Sequence, residues 1–216
     1  MVVSNFKHKT SPWLYPLLGW SLVGHFIYSI VYCIIKQSPE ELFWISHIAS
    51  LLGGIGILKN SRMLISVSLI SLFIHHLFWV FETLVWLIAG KFPFGTTYYL
   101  LNADIWLWLQ VANHFYAVPV LLFVAYKKGG ISKNSWIGSG VLFGILILIS
   151  YYFLPPAANV NCAHALWPGL EKTVFAGLAN LPSWQYLICI LAINIVAINL
   201  PVYGGMRFIF RISNKY

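Results

Sequence analysis

Residues 63–89 read MLISVSLISLFIHHLFWVFETLVWLIA. Glu82 is the only Asp, Glu, Lys or Arg in this stretch, and two adjacent histidines, His75 and His76, stand near its middle. An apolar run of roughly 17–25 residues is long enough to cross the hydrocarbon core of a bilayer as a helix. The stretch is therefore read as a membrane span, and its length implies tilt or a start in the interface.

Working outward, similar runs occupy 13–35, 42–58, 98–126, 136–154 and 185–203. The sequence thus predicts an all-α polytopic membrane protein. Residues 1–216 form one transmembrane domain, a bundle of six helices with both termini on one side. The first run exceeds a signal-peptide core and lacks a small-residue cleavage site, so it is kept as a span. Composition agrees: the chain is 60% hydrophobic and 8% charged, whereas soluble domains are about 25% charged. These values exclude a water-soluble enzyme and a disordered chain.

The formal charge of +8 arises from 13 basic and 5 acidic residues. Lys7, Lys9, Lys59, Arg62, Lys127, Lys128, Lys133, Arg207, Arg211 and Lys215 all fall on the face bearing the termini, and only Lys36, Lys91 and Lys172 fall opposite. The positive-inside rule then puts both termini in the cytoplasm. Topology and anionic lipid account for the charge, so no nucleic-acid partner is expected.

Loops are short except for 155–184, PPAANVNCAHALWPGLEKTVFAGLANLPSW. Unstructured loops of that length are uncommon, so it is expected to fold back over the outer face. Its apolar middle, 165–178, is expected to lie in the interface or re-enter as a short helix. No internal repeat is visible, which weighs against an inverted-repeat transporter.

Ionisable groups in lipid are costly and mark function by default. His25, His47, His75, His76, His114 and Glu82 lie inside the predicted spans, with Ser46, Ser50, Gln110 and Asn113; Asp104 stands near the outer end of the fourth and His164 in the outer loop. Seven-residue spacing puts His75 and Glu82 on one helical face, and Gln110 and His114 share another. The group gathers in the outer half of the bundle, beneath the long loop. A lone intramembrane histidine often serves only to tie helices together, which is the reading favoured for His25.

Three stretches carry a family resemblance. NHFYAVPVLLF (113–123) resembles the signature of the androgen-inducible membrane hydrolases, in which a catalytic His lies five residues before a Pro, here His114 and Pro119. HALWPGLEK (164–172) resembles the same family's stretch before its last helix. ELFWISHIASLLGGIGIL (41–58) resembles the helix bearing its nucleophilic Thr, with Ser46 at the matching position. Those enzymes are six-helix proteins that hydrolyse fatty-acid esters of hydroxy fatty acids. The resemblance implies a membrane lipid-ester hydrolase or acyltransferase acting without a cofactor.

The residues allow the same chemistry independently. A hydroxyl nucleophile needs a base within reach, which Ser46 or Ser50 with His114 supplies. Glu82 or Asp104 is expected to orient the imidazole, and Asn113, Gln110, Ser50 and His164 are the candidates for contact with substrate or oxyanion. Two other classes stay open. One is a His-ligated metal or haem protein, with His75, His114 and Glu82 as a metal set, or His47 or His75 paired with His114 on haem. The other is a non-enzymatic transporter or lipid-binding protein. Three cysteines show no CxxC spacing; Cys33 and Cys162 both fall on the outer side and are open to pairing.

Overall fold

The computed structural model describes residues 13–167 and 169–213. Lys7, Lys9, Lys215 and Pro168 of the WPGLE run lie outside the described residues. Every regular element among the described residues is helical. Five helices are long and apolar enough to cross a membrane: α1 (Leu14–Lys36), α3 (Arg62–Ala89), α4 (Ile105–Lys127), α5 (Ser135–Phe153) and α6 (Ser183–Ile212). Between the first two lies α2 (Ile45–Leu58), a shorter apolar helix of 14 residues. At about 1.5 Å per residue it spans about 21 Å. The single turn Pro39–Phe43 separates it from α1.

Small residues set how closely these helices approach. Lipid tails are as apolar as leucine, so helices in a membrane associate mainly through close packing. A Cβ on Gly54 would lie 2.8 Å from the Gly19 carbonyl oxygen and 2.9 Å from a methyl of Val23, so α1 and α2 touch nearly backbone to backbone. α2 then turns sharply at Lys59–Ser61, and Ser61 caps α3 by accepting from the Leu64 amide at 3.4 Å. α3 is the central helix, contacting α2, α4, α5 and α6. Leu69, Leu72, Leu121 and Ile147 meet in a common core without exposure to solvent.

Two helices are irregular where they pass the polar residues. In α4 the Phe115 amide turns back to the Ala112 carbonyl at 3.0 Å, tightening the helix by one residue. Pro119 follows within the same helix and has no N–H to donate to the carbonyl four residues before it. In α6 the segment Ile193–Asn199 is π-helical, a widening found often at functional sites.

The helix ends sort into two layers. At one, Arg62 donates to the carbonyls of Gly129, Gly130 and Ile131 at 2.8–3.1 Å. At the other, Lys36 pairs with Asp104 at 3.3 Å. Segment 155–182, in this second layer, is a series of one-turn 3-10 pieces. Asn161 anchors it: its amide oxygen accepts from Ile45 N at 2.9 Å, and its amide nitrogen donates to Phe43 O at 2.9 Å and Ser150 Oγ at 3.2 Å. The Gly169 amide donates to Phe94 O at 3.0 Å; a Cβ there would lie 2.3 Å from the Phe94 backbone, so only glycine permits this approach. Trp44 and Trp167 stack 5.6 Å apart. The segment thus lies over the helix ends as a lid.

Candidate active site

Beneath this lid is a cavity of about 890 Å3, within the size range of small-molecule sites. All six helices contribute to its walls. Its rim carries Lys36, Ser38, Glu40 and Glu41, and its interior is mostly aliphatic and aromatic, with polar groups at a few points.

Ser46 and His114 both line the cavity. Ser46 is in the first turn of α2, and its hydroxyl bonds to no described residue. His114 owes its setting to the tightened turn of α4. The Val111 carbonyl accepts from His114 Nδ1 at 2.9 Å. A carbonyl can only accept, so Nδ1 carries the hydrogen and, in the neutral ring, Nε2 keeps its lone pair. The ring lies against Trp79 (centroids 4.4 Å, 23°) and against His76 (4.4 Å, 35°). An indole face also stabilises an imidazolium through its quadrupole. The site therefore contains a free hydroxyl and an imidazole whose tautomer suits a base.

Behind this wall runs a buried polar network. Gln110 Nε2 donates to His47 Nε2 at 3.2 Å, leaving His47 Nδ1–H to face Ser29 Oγ at 3.4 Å. His25 Nε2 donates to the Gln110 carbonyl at 3.0 Å, a tie between α1 and α4 that matches the structural role expected of it. Deeper in the cavity, His75 Nδ1 donates to Ser71 O at 2.9 Å and its Nε2 accepts from Asn194 at 3.3 Å. Asn194 accepts in turn from Asn199 at 3.0 Å, within the π-helical segment.

Several expected roles do not fit these positions. Glu82 reaches no histidine. It is buried completely, and its carboxylate accepts the amides of Phe94, Gly95 and Thr97 at 2.6–2.8 Å together with the hydroxyls of Thr96 and Thr97. The loop after α3 has amides with no helical partner, and Glu82 satisfies them; the imidazoles of His75 and His114 are already oriented by backbone carbonyls. Asp104 caps α4, accepting from Leu107 N at 2.7 Å. That amide, followed by Lys36, holds its carboxyl below the usual range.

Of the four oxyanion candidates, only Gln110 lines the cavity, and its amide hydrogens face His47 and, at 3.8 Å, Cys33 Sγ. Asn113 is spent on the packing of α4 against α2, donating to Ser46 O at 3.1 Å and Ser50 Oγ at 3.4 Å. The Ser50 hydroxyl donates to Ser46 O at 2.6 Å and Ser50 is absent from the cavity wall, so of the two serines only Ser46 lines the cavity. His164 stacks on Tyr151 at 5.1 Å and lines a separate small cavity of about 120 Å3.

The alternative metal set does not assemble. Among the described residues no three His, Cys, Asp or Glu side chains are grouped to hold an ion. His75, His114 and Glu82 each have partners of their own. Cys33, Cys162 and Cys189 are free thiols; burial pushes Cys162 up to about 12. At the rim, burial and then Glu40 raise Glu41.

The structure adds three residues absent from the sequence-based set: Tyr99, Asn161 and Asn194. Asn194 and Asn199, in the run INIVAIN, carried the same signal as the histidines, polarity inside a predicted span. Asn161 lies in a connecting segment, where polarity carries no such signal, and Tyr99, expected at the start of the 98–126 span, lies instead in the turn Tyr98–Asn102 that precedes α4. Compared with known proteins, the chain matches no family model, no curated protein and no solved structure.

Proposed function

We propose that the protein is a six-crossing integral membrane enzyme that cleaves or transfers the acyl group of a lipid ester, with Ser46 as nucleophile and His114 as base. The observation that supports this reading is that Ser46, whose hydroxyl has no partner among the described residues, and His114, whose Nδ1 is committed to Val111, line the same cavity. The largely apolar interior suits an acyl chain. In the proposed reaction Ser46 Oγ attacks the ester carbonyl carbon while His114 Nε2 takes its proton. Nε2–H then protonates the departing alkoxide, and water, or a second alcohol in a transferase, releases the acyl group from Ser46. A positioned base of this kind contributes roughly 10²–10⁴-fold.

The proposed orientation follows from the two layers. Among described residues, Lys59, Arg62, Lys127, Lys128, Lys133, Arg207 and Arg211 lie in the layer opposite the lid, seven against Lys36, Lys91 and Lys172 beside it. The lid and cavity mouth would then face away from the cytoplasm, with both termini inside. In this topology α2 crosses with the help of the turn before it.

Labelling of the detergent-purified protein with a fluorophosphonate tests the pair. Ser46→Ala and His114→Ala are expected to abolish labelling while keeping the elution profile of the folded protein, and Ser50→Ala to retain it. Labelling of Ser46→Ala at the wild-type rate contradicts the assignment. The size and apolarity of the cavity also favour a second reading, a lipid-binding protein without turnover; native mass spectrometry would then show bound lipid in a chain the probe never labels.

A further inference from the structure

The proposed reaction needs a donor for the oxyanion, and the residues expected to provide one are committed elsewhere. Asn113 and Ser50 bond to α2, the amide hydrogens of Gln110 face His47 and Cys33, and His164 lines another cavity. Tyr99 lines the same cavity as Ser46 and His114. Its hydroxyl oxygen accepts from Trp79 Nε1 at 2.9 Å, and its own hydrogen has no acceptor among the described residues. Trp79 also stacks on His114 at 4.4 Å. One indole therefore fixes both the imidazole and the phenol.

The turn that carries Tyr99 is held from behind. Tyr98–Asn102 follows directly on Thr97, whose amide and hydroxyl both donate to Glu82. Glu82 thereby anchors the Tyr99 turn, although it touches neither Ser46 nor His114. A phenol that accepts a hydrogen bond donates its own more strongly.

On the Ser46–His114 reading, we propose that Tyr99 is a catalytic residue of this site, donating its O–H to the ester carbonyl oxygen as that oxygen becomes an anion. As Ser46 Oγ bonds to the carbonyl carbon, the C=O π pair moves onto oxygen. Tyr99 keeps its proton throughout and only shares it; the Ser46 proton goes to His114 Nε2 and thence to the leaving alkoxide. Removing one such donor typically slows acyl transfer about 100-fold.

Two ligands separate this role from packing. A long-chain alkyl trifluoromethyl ketone accepts Ser46 Oγ and forms a tetrahedral oxyanion, whereas the matching secondary alcohol fills the same space without one. Tyr99→Phe is expected to weaken the ketone about 100-fold and leave alcohol affinity unchanged, with Tyr98→Phe like wild type for both. Should Tyr99→Phe fail to fold, Trp79→Phe keeps a ring over His114 and removes only the indole donor; it is expected to weaken the ketone by a smaller factor, again sparing the alcohol. Wild-type ketone affinity in either variant, or equal weakening of both ligands, overturns the assignment. A wild-type protein that forms no ketone adduct would instead overturn the Ser46–His114 reading, and Tyr99 with it.

Discussion

At Glu82, five donor groups converge on one carboxylate inside an apolar bundle. Removing a buried acceptor leaves its donors unsatisfied, at roughly 1–3 kcal/mol for each affected group. Glu82→Leu is therefore expected to lower the thermal unfolding midpoint strongly and to expose the 94–97 loop to protease, and an unchanged midpoint would contradict the clamp. His25 gives the contrast. Its ring tie to Gln110 is one hydrogen bond of about 1 kcal/mol, so His25→Leu is expected to leave fluorophosphonate labelling almost unchanged. Helical spacing put Glu82 on the face of His75, which is geometrically sound, but the partner it meets is a loop folded back from the end of its own helix. No helical period encodes that return. Ser46 and His114 could be singled out in the sequence because a hydroxyl, an imidazole and a following proline sit within strongly apolar runs, and both line the cavity.

Five spans stand out as elements because their apolar runs exceed the bilayer core, and α2 because its glycines interrupt a run of similar hydropathy. Gly54 leaves no room for a Cβ against Gly19. Gly54→Val is accordingly expected to cost about 1–3 kcal/mol through overpacking, seen as a lower unfolding midpoint, whereas Gly24→Ala, with nothing within 4 Å of its Cβ, should not destabilise. The irregularities were less visible. Nothing in ANHFYAVP besides Pro119 signals that Phe115 will bond to Ala112 and leave Val111 O for the His114 ring. In the π-helical turn of α6, likewise, two asparagines bond to each other and one of them to His75. Such features arise from tertiary contacts, and local sequence does not carry them.

For the whole molecule, the two layers of helix ends make the proposed orientation testable by thiol accessibility. Cys162 is held as the thiol by burial, at about 12, Cys33 is buried and Cys189 lies within the apolar helix α6, so the native background towards an impermeant reagent should be low. In sealed cells, Lys172→Cys is expected to react with a membrane-impermeant maleimide, and Lys128→Cys only after permeabilisation; the reverse pattern inverts the topology. Loop length alone led to the expectation that 155–184 folds back, whereas the contacts of Asn161 and Gly169 were not readable, since both join segments far apart in the chain. The central claim, that the cavity beneath this lid performs acyl transfer, is tested most directly by mixing the purified protein with a long-chain p-nitrophenyl ester, quenching in acid and measuring intact mass. The account predicts one acyl group per chain, located on the peptide containing Ser46 and lost in His114→Ala. No adduct together with no p-nitrophenol release, or undiminished turnover in Ser46→Ala, would contradict it.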